Sequence, residues 1–417
     1  MQQRNVDHHI IVMDNGGGSC KVGFAGERNP KIIPNVIAKA KSTGAGVKGK
    51  AYIGDELENC ENYSSLVYKR PIEKGYVVDC ETQIALWNRI FSADVLNVTD
   101  FADRHIFLTH QPFTPNIIKS DLAQVVFEHF GFKEYTSLSG SYCAFNGFLS
   151  EHQYNPTANP INASYSAVVV DSGFSFTNIT PIVNHGVQKE SIRRIDIGGK
   201  ALTNYLKEIV SLRYYDMMDE TYLMNVIKER LCFVSLDFMK DMNIVKNVEN
   251  EIQRHYILPD YRNTRTGFVK QDDVPLTAED QVLSMNNERI TVPEVLFTPS
   301  DIGSDQAGIP EAIVQSVSST QEIFQNVLYD CILLVGGNTC FPNYKKRIEK
   351  DMRKYVNVDH NITVHQPSDP VVCCWRGASS FAGSETGLAR MSSTLTVTKK
   401  EYEEHGSNIC IQKFSQS

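Results

Sequence analysis

The run Asp14-Asn15-Gly16-Gly17-Gly18-Ser19-Cys20-Lys21 sets a carboxylate, three consecutive glycines and an ammonium within one turn. Glycines in series let the backbone come close to a ligand, and successive N–H groups in such a turn form a concavity for an anion. Ser19 sits in the same turn, and Lys21 adds a compact positive charge. A second stretch, Asp171-Ser172-Gly173-Phe174-Ser175, again follows an apolar run with an aspartate and small residues. A third, Val335-Gly336-Gly337-Asn338-Thr339, opens through two glycines at the end of an apolar run, which suits a nucleotide edge. One turn of this kind is most often an ordinary hairpin, because Asp and Gly are what tight turns prefer. Three in this order form a pattern. It is not the Rossmann fingerprint, which would need glycine where Lys21 stands, and the Walker spacing is absent.

The elements that must position these turns are short and apolar. Residues 9–13 and 22–26 read as a strand and a returning strand around the first turn, and 166–170 as a buried strand before the second. Residues 331–335 read as a strand leading to a helix-like stretch at 344–350. Another helical stretch, 224–232, aligns Val226, Ile227 and Leu231. Loop-like breaks fall at 154–160 and 258–275. The chain thus begins the same unit twice, which implies two related α/β lobes, each offering an aspartate and a hairpin to a shared cleft.

The whole-chain arithmetic agrees. At 417 residues the sequence has room for two or three globular lobes, and 41% hydrophobic with 22% charged residues are ordinary folded values. The longest apolar runs, 331–335 and 167–170, fall far short of the roughly 20 residues a membrane helix needs, so no membrane association is expected. The polar start, 1–9, lacks a secretory pattern, which points to an intracellular address. Ten cysteines without a C-x-x-C pair, and scattered histidines, read as mostly buried thiols, not a zinc site. A net charge of −8 argues against a general polyanion binder, yet 39–50 carries Lys39, Lys41, Lys48 and Lys50 with no acidic residue.

Taken in order, these residues resemble the actin superfamily over residues 10–414. The resemblance rests on the turn at 14–21 with 22–26, on Arg70-Pro71-Ile72-Glu73-Lys74-Gly75, on Asp171-Ser172-Gly173, on 227–232, on 335–342, on 287–294 and on 400–406. It implies an α/β, actin-like ATPase fold of two related lobes, four subdomains in all, around a central nucleotide cleft. The first lobe would span 1–160, with a small subdomain at about 35–70 and completion by 372–417. The second would span 161–371, with an inserted subdomain at about 200–295. The implied ligand is ATP or ADP with Mg2+, a cation that prefers oxygen donors and keeps several waters, so Asp14 and Asp171 would hold it through water. Lys21 would neutralise phosphate oxygens, with Gly16, Gly17, Gly18, Ser19 and Gly173 around them. Lys228 and Glu229 would meet ribose and base, and Gly336, Gly337, Asn338 and Phe341 would border the adenosine. For Lys228 and Glu229 a solvated helix face is the plainer alternative.

Departures from the actin pattern decide the expected activity. Residues 217–221, 171–175 and 298–303 look most like a nuclear branch of actin-related proteins, known as subunits of remodelling complexes that exchange a variant histone into nucleosomes. The second loop carries Phe174 and Ser175 where actin has an acidic residue and a glycine. The glutamine that orients water in actin should fall near Ser139 or Gly140, and an adenine-flanking lysine is replaced by Val371. In-line attack needs a positioned water and a charge-compensated phosphate, so these losses imply binding without efficient hydrolysis and no catalytic residue. The expected partners are other subunits of such a complex, with a nuclear address, room for a cytoplasmic pool, and nucleosome contact through Lys39, Lys41, Lys48 and Lys50. Homopolymers are not expected: 300–305 is charged where actin packs apolar residues, and Arg376 follows Trp375 at an apolar position. The alternatives are an active ATPase or phosphotransferase of the actin–sugar kinase superfold, and a cytoskeletal filament protein.

Overall fold

The computed structural model describes residues 6–40, 50–64, 66–153, 165–271, 276–277 and 280–415. Two sheets organise it. In the first, strands Asp7–Asn15 and Ser19–Ala25 pair antiparallel around the glycine turn, which sets Asp14 opposite Lys21. Strand His105–His110 runs parallel to Asp7–Asn15, Glu134–Ser139 runs parallel beyond it, and Thr396–Thr398 closes that edge. The second sheet repeats the unit. Ala167–Ser172 pairs antiparallel with Thr177–Val183, and Ile332–Val335 joins in parallel with Val335 beside Asp171. Each aspartate therefore stands near the carboxyl end of a strand flanked on both sides.

Both leading strands are apolar on both faces, as expected when a sheet is covered on each side. Ile11 and Met13 enter one core while Ile10 and Val12 enter another. Val168 and Val170 likewise face away from Ala167 and Val169. Between the sheets lie two helices, Gly140–Gln153 and Cys373–Ala382. Glycine lets their backbones touch: a Cβ on Gly377 would stand 1.7 Å from the Cys143 carbonyl oxygen, and one on Gly147 2.6 Å from that of Cys373. Helix Cys373–Ala382 serves both lobes, with Trp375 in the first-sheet core and Cys373 in the second. The Trp375 indole also donates to the Val12 carbonyl at 2.9 Å.

Two smaller sheets stand above the main ones. Ala51–Ile53, Ile37–Ala40 and Leu66–Lys69 form one, and Phe268–Val269, Arg254–Ile257 and Val282–Met285 the other. The strand at Phe268–Val269 lies inside the segment read as a loop-like break, 258–275. The turn before it is tight because the Asp260 carboxylate accepts the amides of Arg262, Asn263 and Thr264. The other expected break, 154–160, falls outside the described residues. Contacts also cross the mouth of the cleft, where Tyr63 stacks on Tyr222 at 4.2 Å, Ser64 donates to Glu220 at 2.8 Å and Arg265 donates to the Glu58 carbonyl at 3.3 Å. Among the described residues no helix is long and apolar enough to cross a membrane. Most of the ten cysteines are buried free thiols.

Candidate functional site

A cleft of about 1090 Å³ opens between the sheets. Asp14, Gly16, Gly17, Gly18, Ser19, Lys21, Asp171, Gly173, Lys228, Glu229, Gly336, Gly337, Asn338 and Phe341 all line it. The hairpin register brings the Lys21 ammonium to 3.4 Å from Asp14. Thr109, from the parallel strand, donates to the same carboxylate at 2.7 Å, and the Cys374 thiol approaches it at 3.7 Å. Burial, and then the neighbouring Asp14 charge, push the Asp171 carboxyl up to about 7 against the pull of Lys21. Burial pulls Lys21 down, but the charges led by Asp14 outweigh it and hold the ammonium above its ordinary range. Two carboxylates thus share one lysine, and negative charge is left over. Oxygen donors with surplus negative charge suit a hydrated Mg2+ ion, and Asp14 and Asp171 are the residues that would hold it.

The two glycine turns touch one another. A Cβ on Gly18 would lie 3.0 Å from Phe174, and one on Gly17 2.4 Å from Ser175 Oγ. Arg70, half-buried beside them, donates to the carbonyls of Gly17, Gly18 and Asn35 at 3.3–3.4 Å and lies 4.6 Å over the Phe174 ring. Burial pulls its guanidinium down to about 10. The second turn therefore does more than lack a carboxylate: its side chains pack on the first.

At the far wall, Lys228 is only 3% exposed, so it is not part of a solvated helix face. Its ammonium donates to the Gly199 carbonyl, Thr203 Oγ1 and Asn225 Oδ1 at 3.0, 2.8 and 2.9 Å, which uses its three protons. Burial pulls it down to about 8, with Glu229 opposing. Lys228 braces the start of helix Gly199–Arg213, and Glu229 accepts from Asn225 at 2.8 Å. Asn338 donates to the Gly173 carbonyl at 2.8 Å and to Ser172 Oγ at 3.2 Å, which ties the adenosine edge to the second turn. Gly336, at φ +91°, would meet the Ser172 carbonyl at 2.4 Å if it carried a Cβ, whereas Gly337 faces open space. Phe341 is rooted in the second-lobe core.

The sequence reading of the site missed Arg70, Gln111 and Cys374, which line the cleft, and Thr109, which holds Asp14 from behind. Ser139 and Gly140 carry no amide, but Gln111 brings one to the cleft just past the end of strand His105–His110, where its Oε1 accepts from Asn178 at 3.3 Å. A polar residue at a parallel strand's carboxyl end was the available signal. Of the basic segment, Lys39 and Lys50 are exposed, with Lys50 5.0 Å over the Tyr52 ring, and Lys41 and Lys48 lie outside the described residues. Asp301 and Asp305 are exposed, and Arg376 donates to the Arg28 carbonyl and Asn29 Oδ1 at 3.1 and 3.0 Å.

The actin family model matches residues 6–415. Actin-related protein 6 of Arabidopsis thaliana is 35% identical over 97% of this chain and 99% of its own length. The actin-like protein ARP6 of Yarrowia lipolytica is 35% identical over 97% of each chain, and Drosophila melanogaster actin-related protein 6 is 34% identical over 95% of this chain and 97% of its own.

Proposed function

The chain belongs to the actin family, among the proteins called actin-related protein 6, and from that footing we propose that it is a non-catalytic subunit of a nuclear remodelling complex that exchanges a variant histone into nucleosomes. Its two lobes are braced by ATP or ADP with Mg2+, and it serves assembly and nucleosome engagement, and through them transcription. Family membership supports nucleotide binding in general. The observation that carries the non-catalytic part is the second turn, where Phe174 and Ser175 pack on Gly17 and Gly18 and leave Asp171 without a second carboxylate beside it to order a metal. Gln111, which brings an amide to that neighbourhood, has its Oε1 accepting from Asn178. The exposed Asp301 and Asp305 speak against a filament contact, since burying unpaired carboxylates is costly.

The experiment is mass spectrometry of proteins that co-purify with the tagged chain from nuclear extract. Recovery of remodelling subunits and a variant histone is expected. A cytoskeletal set, or salt-induced filaments of the chain alone, would replace this reading.

A further inference from the structure

The contact between the two turns has a consequence for which nucleotide fits. A phosphate held between two loops needs its oxygens about 2.7–3.2 Å from N–H donors on either side. Here the loops meet directly: Ser175 Oγ would be 2.4 Å from a Cβ on Gly17, and Phe174 Cβ and Cγ 3.0 Å from one on Gly18. Side-chain atoms of the second loop therefore narrow the space between the two turns, where a terminal phosphate would need room.

The Phe174 side chain is held in place. Phe174 lies under the Arg70 guanidinium, which is fixed by three carbonyls. The loop backbone is fixed too: the Lys200 amide donates to the Phe174 carbonyl at 2.8 Å, the Gly199 amide to Gly173 at 3.0 Å, and Gly173 to Phe176 at 3.0 Å. A Cβ on Gly198 would already stand 2.6 Å from the Phe176 nitrogen, so the loop cannot retreat toward helix Gly199–Arg213. The rest of the cleft stays open, with Lys21 and Asp14 at its floor and free space at Gly337.

We propose that this cleft selects a nucleoside diphosphate and rejects the triphosphate, with Phe174 and Ser175 as the specificity-determining residues. The proposal rests on the nucleotide-binding reading above and sharpens it. Isothermal titration of the full chain with ADP, ATP and a non-hydrolysable ATP analogue, each with Mg2+, tests it. ADP is expected to bind at least about tenfold more tightly than either triphosphate. In Phe174→Asp/Ser175→Gly the ratio falls to about one, and Ser175→Gly alone, a change small enough to keep the fold, moves it part of the way. Equal affinity of the unaltered chain for ADP and the analogue overturns the selectivity and leaves nucleotide binding standing. Binding of neither overturns both.

Discussion

The first glycine turn, 14–21, and the second, 171–176, sit on the same strand–turn–strand scaffold, each beside a parallel strand, yet their chemistry has parted. The first keeps three glycines, a carboxylate and an ammonium 3.4 Å apart. The second keeps its aspartate and one glycine and fills the remainder with an aromatic ring and a hydroxymethyl group that pack against the first. The backbone unit is a property of the fold, while what it does to a phosphate is decided by a few side chains. One half of an anion cradle has become part of the packing between lobes.

The largest effect is expected at the first turn. Lys21 is the cation that offsets Asp14 and Asp171 in a buried setting, and removing one partner of a buried charge pair costs about 3–5 kcal/mol. Lys21→Ala should lower the melting temperature and abolish its rise with Mg2+–ADP, a rise that corresponds to about 2.7 kcal/mol at a hundredfold excess over Kd. An unchanged response would make both turns purely structural. At the second turn, Phe174→Ala removes a partly buried ring and the face on which Arg70 rests, for a loss on the order of 2 kcal/mol by chemical denaturation. That variant should keep or gain nucleotide affinity, the opposite of Lys21→Ala.

Protonation sharpens the same contrast. The Asp171 carboxyl stands at about 7 in the folded protein against an ordinary 3.8, so the native state binds more protons between those values. Its contribution to stability is present below about pH 4 and is lost as pH rises through about 7. A cation held by Asp14 and Asp171 must displace that proton, so Mg2+–ADP affinity should rise from pH 6 to pH 8 and then level off. Asp171→Asn should flatten the profile, which calorimetry at several pH values would read. The smallest effect on the chain itself is expected from replacing Lys39, Lys41, Lys48 and Lys50 by Ser: surface changes of this kind stay within about 0.5 kcal/mol. In the purified complex the same change should lower the salt slope of nucleosome binding by about 0.9 per lost phosphate contact. An unchanged slope returns the segment to solvent.

Much of this was legible in the residues. Local signals were sufficient for the hairpins and for the doubled unit, because apolar runs ending in Asp and Gly announce a strand and its turn wherever they occur. The candidate residues that the resemblance to actin implied all line one cleft. What local signals could not show was which of those residues are already spoken for. Lys228 read as a ribose contact or a solvated lysine, and it is not solvated: it lines the cleft while Thr203 and Gly199 arrive from another helix to take its protons. Gln111 gives no local signal of its role: the resemblance puts the amide at Ser139 or Gly140, at the end of one strand, while the fold delivers one just past the strand beside it. Phe174 was legible as a missing carboxylate but not as a filling one, since its contact with Gly18 joins residues more than 150 apart in sequence.

The account turns on a cleft that holds nucleotide and does not hydrolyse it. Phosphate release from ATP with Mg2+ by the purified full chain, followed over hours beside an Asp14→Ala control, tests this most directly. Release indistinguishable from the control is the expected result, and sustained release that vanishes in Asp14→Ala would contradict the account.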